Sequence, residues 1–179
     1  MKAIPLPQPP QLTTPRITLR SMAATDVDDL FAIYSDAEVM RYASDPPMAR
    51  RSDVGTLLES VERCRCEGVS LEWAVVANDS GVVIGTCGLH SFDWPRRAAE
   101  VGCLLARGHW GRGLMSEALG AVLAFARQWP LDTLIADIDA PNRRSIRLFS
   151  RMGFVHHAAT HYHLPLRDPQ TLVAQSPTQ

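Results

Sequence analysis

Gly108-His109-Trp110-Gly111-Arg112-Gly113-Leu114-Met115-Ser116-Glu117-Ala118 is the stretch on which the reading of this chain turns. Before it lies an apolar run, Ala98–Leu105. After it, Met115, Ala118, Leu119, Val122, Ala126 and Trp129 recur at spacings of three and four. A strand therefore feeds a glycine-rich turn, and the turn opens a helix that Pro130 ends. Glycines let the backbone approach a ligand closely, and the first N–H groups of a helix have no intrahelical acceptor. With the helix dipole behind them they form an anion site, to which Arg112 adds charge. A pyrophosphate or similar group fits that chemistry. A tight turn whose N–H groups meet only water is the simpler alternative, because Gly-x-Gly before a helix is a weak motif.

Upstream, Arg16–Arg20 alternates apolar and polar residues as a strand does. Thr25-Asp26 reads as a helix start, with Leu30, Ile33 and Tyr34 at helical spacing behind it. A second helix is expected over about Arg51 to Glu67, with Val54, Leu57, Leu58 and Val61 as its apolar stripe and Gly68 as its stop. Three strand-like runs follow, Leu71–Ala77, Val82–Leu89 and Ala98–Leu105. Asn78-Asp79-Ser80-Gly81 makes the first two an antiparallel hairpin. Downstream, Thr133–Asp139 alternates again, and Asn142 to Met152 reads as a helix with Gly153 as its stop. Strands are expected near Phe154–Ala158 and, on a weaker pattern, near His161–Leu166. The order is β, α, α, β, β, β, α, β, α, β. Residues 1–10 hold four prolines and read as a flexible arm outside the core, leaving 11–179 as a single domain.

The 179 residues suit one domain, and 46% hydrophobic with 21% charged residues is a globular mix. Lys plus Arg is 18 and Asp plus Glu is 19, so a net charge of -1 gives no overall basic footprint for nucleic acid. Cys64, Cys66, Cys87 and Cys103 contain no C-x-x-C. No signal peptide and no membrane helix is expected, and a cytoplasmic setting is the default expectation. His161-x-His163 lacks Cys or carboxylate partners at metal-ligand spacing, so no metal site is expected.

Trp110-Gly-Arg-Gly-Leu-Met-Ser-Glu-Ala-Leu119, followed by Asn142-Arg-Arg-Ser145-Ile-Arg-Leu-Phe149-Ser-Arg-Met-Gly153-Phe154, resembles the GCN5-related N-acetyltransferase (GNAT) superfamily. Within it the chain looks like the ribosomal-protein N-terminal acetyltransferase (RimJ/RimL-like) branch. Leu12–Arg20 matches that branch's first strand, and Ala99-Glu100-Val-Gly-Cys-Leu104 its fourth. The resemblance implies an α/β (α+β) fold: a mixed, twisted sheet of six to seven strands flanked by about four helices and splayed between strands 4 and 5.

The same resemblance implies acetyl-CoA as cosubstrate and an amine acceptor, either a protein N-terminus or a small molecule, in a monomer or homodimer. Trp110, Gly111, Arg112, Gly113, Leu114, Met115 and Ser116 would then form the pyrophosphate loop. Trp110 stands at the family's Gln/Arg position, and Met115 is larger than the usual Gly or Ala. Leu104 and Leu105 would offer backbone groups to the pantetheine arm, and Asn142 would contact its amide while capping the helix.

Two residues are candidates for catalysis. Glu100 shares a strand face with Gly102 and Leu104, and burial would raise its pKa toward that of a useful base. An ordinary structural carboxylate is the alternative. Many relatives place a Tyr four residues before the Gly of Gly-Phe, to protonate the leaving thiolate. Phe149 stands there, so Ser145, one turn earlier, is the candidate donor, against a serine that only bonds its own helix end. Phe149 also supports a rival function, a non-catalytic acyl-CoA-binding sensor or scaffold. A dinucleotide-binding domain fails on topology, because the glycine turn follows an antiparallel meander.

Overall fold

The computed structural model describes residues 5–167. In chain order the elements are β1 Leu12–Thr13, β2 Ile17–Arg20, α1 Val27–Tyr34, α2 Asp53–Cys66, β3 Leu71–Ala77, β4 Val83–Asp93, β5 Ala98–Leu105, α3 Leu114–Ala126, β6 Thr133–Asp137, α4 Arg143–Arg151, β7 Val155–Ala158 and β8 His161–Pro165. The strands form one mixed eight-stranded sheet in the order β1-β2-β3-β4-β5-β6-β8-β7. Only β5 and β6 run parallel, joined through α3; every other pair is antiparallel. The sheet has one strand more than expected, because Leu12–Thr13 folds back on β2. The chain closes its own final hairpin, with β8 seated between β6 and β7.

Alternation along the strands sends side chains to two cores. Trp73, Cys87, Leu89 and Val101 pack on one face against Leu119 and Val122 of α3 and Phe149 of α4. Ala74, Val76 and Val83 pack on the other against Leu30 and Ile33 of α1 and Val54 of α2. The apolar stripe of α3 is buried at each of Met115, Ala118, Leu119, Val122 and Ala126, as its spacing requires. Of the predicted α2 stripe only Val54 is fully buried.

Two expectations need correction. Residues 5–10 are not clear of the core. Leu6 is 4% exposed, its N–H donates to Arg65 C=O at 2.9 Å, and Pro10 C=O accepts from Trp73 Nε1 at 2.8 Å. One apolar side chain among the prolines suffices to anchor the arm, because prolines leave the C=O groups free to accept. Helix α1 also begins later than Thr25. Ala24–Asp26 is a short 3₁₀ turn, held because the Asp26 carboxylate accepts from Ala23 N–H at 2.8 Å and from Nη1 and Nη2 of Arg20 at 2.7 and 2.8 Å.

Candidate active site

Strands β5 and β6 pair only where Ala98–Glu100 faces Thr133–Ile135. Beyond that point each follows its other neighbour: β5 stays on β4 as far as Leu105, and β6 stays on β8 as far as Asp137. The sheet therefore opens after Glu100. Ala106 N–H donates to Ile84 C=O at 2.8 Å, which sets the alternation of the β4–β5 ladder. By that alternation Glu100, Gly102 and Leu104 bond to β4, the Val101 N–H completes the last rung with Ile135 of β6, and the N–H and C=O groups of Cys103 and Leu105 turn to the side of the opening. The expectation for Leu104 and Leu105 is corrected accordingly. Leu104 spends its backbone on the ladder, and Leu105 C=O accepts from Trp110 Nε1 at 2.6 Å.

At the top of the opening the chain makes the glycine turn. Gly111 and Gly113 sit at φ +74° and +77°, a conformation that costs an L side chain energy and glycine nothing. Gly113 is the residue before α3. The first N–H taken up inside the helix is that of Glu117, which donates to Gly113 C=O at 3.2 Å, so those of Leu114, Met115 and Ser116 remain open. Leu114 and Met115 bury their side chains in the core, so the larger Met115 does not crowd the turn. Arg16 braces the turn from behind. Its Nη1 donates to Arg112 C=O at 2.8 Å, and its Nε donates to Glu117 Oε2 at 2.7 Å. Glu117 Oε1 also accepts from Thr14 Oγ1 at 2.6 Å and Arg16 N–H at 2.9 Å. Burial pushes the Glu117 carboxyl up, but these donors outweigh it and hold it below its usual range.

Trp110 ties this turn to α4. The guanidinium carbon of Arg144 lies 3.3 Å from the centroid of its ring, a cation–π contact. Asn142 caps α4 by accepting from Ser145 N–H at 3.2 Å. The Ser145 hydroxyl bonds to no described residue, and the side chain is half-buried. Phe149 is 4% exposed and packs edge-on to Phe154 at 5.1 Å, so it is a core residue.

The α1–α2 face of the same strands carries a charged cluster. Glu72 on β3 and His90 on β4 are joined by a 2.8 Å contact between Oε1 and Nδ1. The Glu72 carboxylate lies flat over Gly88, where a Cβ would come within 2.2 Å of it. His90 lies over Gly102, its Nε2 3.2 Å from where a Cβ would stand. Glu100 is directly opposite His90 in register. It is exposed, so the burial on which its reading as a base depended is not met. Burial pushes the His90 imidazole down, but the charge and hydrogen bond of Glu72, with the charge of Glu100, raise it above 6.5. Nearby, Tyr34 Oη is 3.3 Å from Thr86 Oγ1, and burial pushes its phenol up to about 12.

A parted parallel strand pair, crowned by a helix N-terminus with open N–H groups, is the geometry expected of the family the sequence resembles. The model of the acetyltransferase (GNAT) domain matches residues 16–155. This chain belongs to the GNAT acetyltransferase family. It is 31% identical over 144 residues to the uncharacterized N-acetyltransferase p20 of Bacillus licheniformis, covering 80% of this chain and 81% of that protein. In fold this GNAT domain is similar to a GNAT-family acetyltransferase from Bacillus anthracis (TM-score 0.78, 16% identity, 88% and 99% of the two chains). It is also similar to the spermidine N-acetyltransferase of Vibrio cholerae, solved in complex with CoA and spermine (TM-score 0.75, 15% identity, 86% and 97%).

The turn, the end of β5 and the start of α4 meet at Trp110, which donates to Leu105 C=O and carries Arg144 over its ring. Sequence reasoning missed Glu72, His90, Arg16 and the role of Glu117. A signal for the first existed: Glu72 is the one charge inside the run Leu71–Ala77, where alternation alone gives no reason for it. His157 and His163 stack at 4.2 Å on the last hairpin. Burial, with the charges of His157 and His161, holds His163 below its usual range. Cys87 is a core thiol and Cys103 packs half-buried against the same core; burial pushes both up, Cys103 to about 12. No helix among the described residues is long and apolar enough to cross a membrane.

Proposed function

We propose that this protein transfers an acetyl group from acetyl-CoA directly to an amine, in the RimJ/RimL-like manner. The observation that carries the reading is the opening beyond Glu100. A β5 edge open at Cys103 and at the Leu105 N–H runs toward the open N–H groups of Leu114, Met115 and Ser116. Such an edge accepts a chain of amides as an added strand would, and the helix N-terminus accepts phosphates. The residues fit that ligand: nothing stands within 4 Å of a Cβ at Gly111, and Arg112 is exposed beside the turn. The bound thioester would supply an activated acyl carbon.

The chain's own groups supply the rest. Asn142 and Ser145 flank the opening from α4, and the Ser145 hydroxyl can donate to a departing thiolate. A β5 N–H facing the opening can donate to the acyl oxygen as charge develops there. Glu100, exposed at the mouth, draws the cationic acceptor. Holding both reactants in one cleft supplies much of the rate, and no covalent enzyme intermediate is required. The acceptor is a primary amine, a protein N-terminus or a small molecule such as the polyamine on which the Vibrio cholerae neighbour acts.

Phe149, buried and without a proton to give, favours the second reading, an acyl-CoA-binding sensor. Titration calorimetry with acetyl-CoA, followed by a thiol-release assay over α-amino peptides, diamines and polyamines, separates the two. Binding with turnover establishes the enzyme, and binding without turnover establishes the sensor. No binding rejects both.

A further inference from the structure

Resting on the acetyl-transfer reading, we propose that His90 is the general base that takes the proton from the acceptor ammonium, with Glu72 as its positioning residue. An ionised carboxylate only accepts hydrogen bonds, so the 2.8 Å contact to Glu72 makes Nδ1 the donor. The neutral ring therefore carries its lone pair on Nε2. Nε2 bonds to no described residue, and it lies over Gly102. Gly102 precedes Cys103, whose backbone groups face the parted strands. The free lone pair thus stands at the strand edge where the acyl carbon is to be placed, on the sheet face away from α3.

Both glycines are needed for this placement. A Cβ at Gly88 would strike the Glu72 carboxylate, and one at Gly102 would press on the imidazole. A strand pair whose purpose was packing would fill such positions. Here two strands leave a floor for one carboxylate–imidazole pair. Glu72 also borders a cavity of about 610 Å³ between the N-terminal arm, α2 and β3, whose walls include Met22, Leu58 and Val61. That cavity gives an acceptor's apolar part a place beside the pair.

The ammonium gives one proton to His90 Nε2, and the freed nitrogen pair forms the N–C bond to the acyl carbon. The C–S bond breaks with its electron pair on sulfur. The second N–H proton ends on that sulfur as thiol, and the imidazolium releases the first to solvent through its exposed edge. The net products are amide, CoA thiol and one proton. The ionisable groups facing the imidazole are Glu72 from β3 and Glu100 from β5. Tyr34 of α1 stays protonated across the working range, and Glu59 and Glu62 of α2 border the cavity beside Glu72.

The test uses the full chain, acetyl-CoA and the amine panel above, with melting temperature and acetyl-CoA affinity recorded for every variant. His90→Gln should lower kcat about 10²- to 10⁴-fold at neutral pH, with the deficit shrinking as pH rises and the amine frees itself. Glu72→Gln should move the acid limb of kcat/KM to lower pH, because the carboxylate that raises His90 is gone; a merely structural role would not move that limb. Gly102→Val, which keeps both residues but displaces the ring, should mimic His90→Gln and covers the case in which that variant folds poorly. In the free protein, nitrogen NMR should show the Nδ1–H tautomer at high pH and a His90 pKa that falls in Glu72→Gln. The proposal is overturned if His90→Gln and Gly102→Val turn over within threefold of wild type, if Glu100→Gln rather than His90→Gln carries the pH-dependent loss, or if NMR finds the proton on Nε2. If wild type binds acetyl-CoA but releases no thiol with any amine, the transfer reading itself fails and the base falls with it.

Discussion

Replacing Gly113 by aspartate puts a carboxylate into the N–H-rich turn, and the structure allows its effect to be divided. The residue sits at φ +77° and ψ 4°, where any L side chain costs about 1 kcal/mol and where Asp and Asn are among the better tolerated. A Cβ there would stand 3.5 Å from Arg16 Nη2, an ordinary contact, so there is no clash to add. Gly113→Asn bears that backbone cost alone. Gly113→Asp adds a negative charge within roughly 5 Å of a phosphate held by Leu114–Ser116, a repulsion of about 3 kcal/mol at an effective dielectric near 20. Arg16 offsets part of it, leaving about 2–3 kcal/mol, or roughly thirty- to two-hundred-fold in affinity. Calorimetry with acetyl-CoA should therefore find Gly113→Asn within about fivefold of wild type and Gly113→Asp far weaker. The gap between them should narrow between roughly 50 and 500 mM salt as the screening length shortens. Equal affinities for the two variants, or a gap indifferent to salt, would refute the assignment of this turn to an anion.

Glu117→Ala releases Thr14 and Arg16 together, and with them the brace on Arg112 C=O. It should weaken acetyl-CoA binding about five- to thirtyfold and speed amide exchange in the turn. Arg20→Met leaves the buried Asp26 carboxylate without its counter-charge, with only the Ala23 N–H to bond it. It should cost about 3 kcal/mol, seen as a melting temperature lower by about 6–12 °C at neutral pH. Burial pushes Asp26 up, but Arg20 and Ala23 N–H hold it below 3.8. The stabilisation it gives is therefore complete above the unfolded value and lost as pH falls through the lower folded one, so the difference between wild type and variant should close in acid. Ser145→Ala removes one donor to a developing charge and should lower kcat roughly tenfold at every pH, with acetyl-CoA affinity unchanged.

The sequence by itself determined the elements and the turn. The stripe of α3 is legible because residues three and four apart share a helix face, and all five of its core positions from Met115 to Ala126 are buried. Thr133–Asp139 was legible for the corresponding reason at period two: Leu134, Ala136 and Ile138 are buried while Thr133, Asp137 and Asp139 are not. Gly113 before an amphipathic helix marked the anion turn for reasons wholly local to the backbone. Only the tertiary structure decided what meets across the sheet. Glu72 reaches His90 because β3 and β4 pair Glu72 with Gly88 and Trp73 with Cys87; a slip of one residue would turn Glu72 to the α3 face and break the pair. The opening beyond Glu100 depends on where β6 leaves β5 for β8, and the Arg16–Glu117 brace joins residues 101 apart in the chain. Leu6 is buried because Arg65 and Trp73 are there to bond the arm that carries it. Periodicity records how a side chain faces relative to its near neighbours along the chain. Register, strand parting and long-range ion pairs depend on which segments come to lie side by side, and no local pattern carries that.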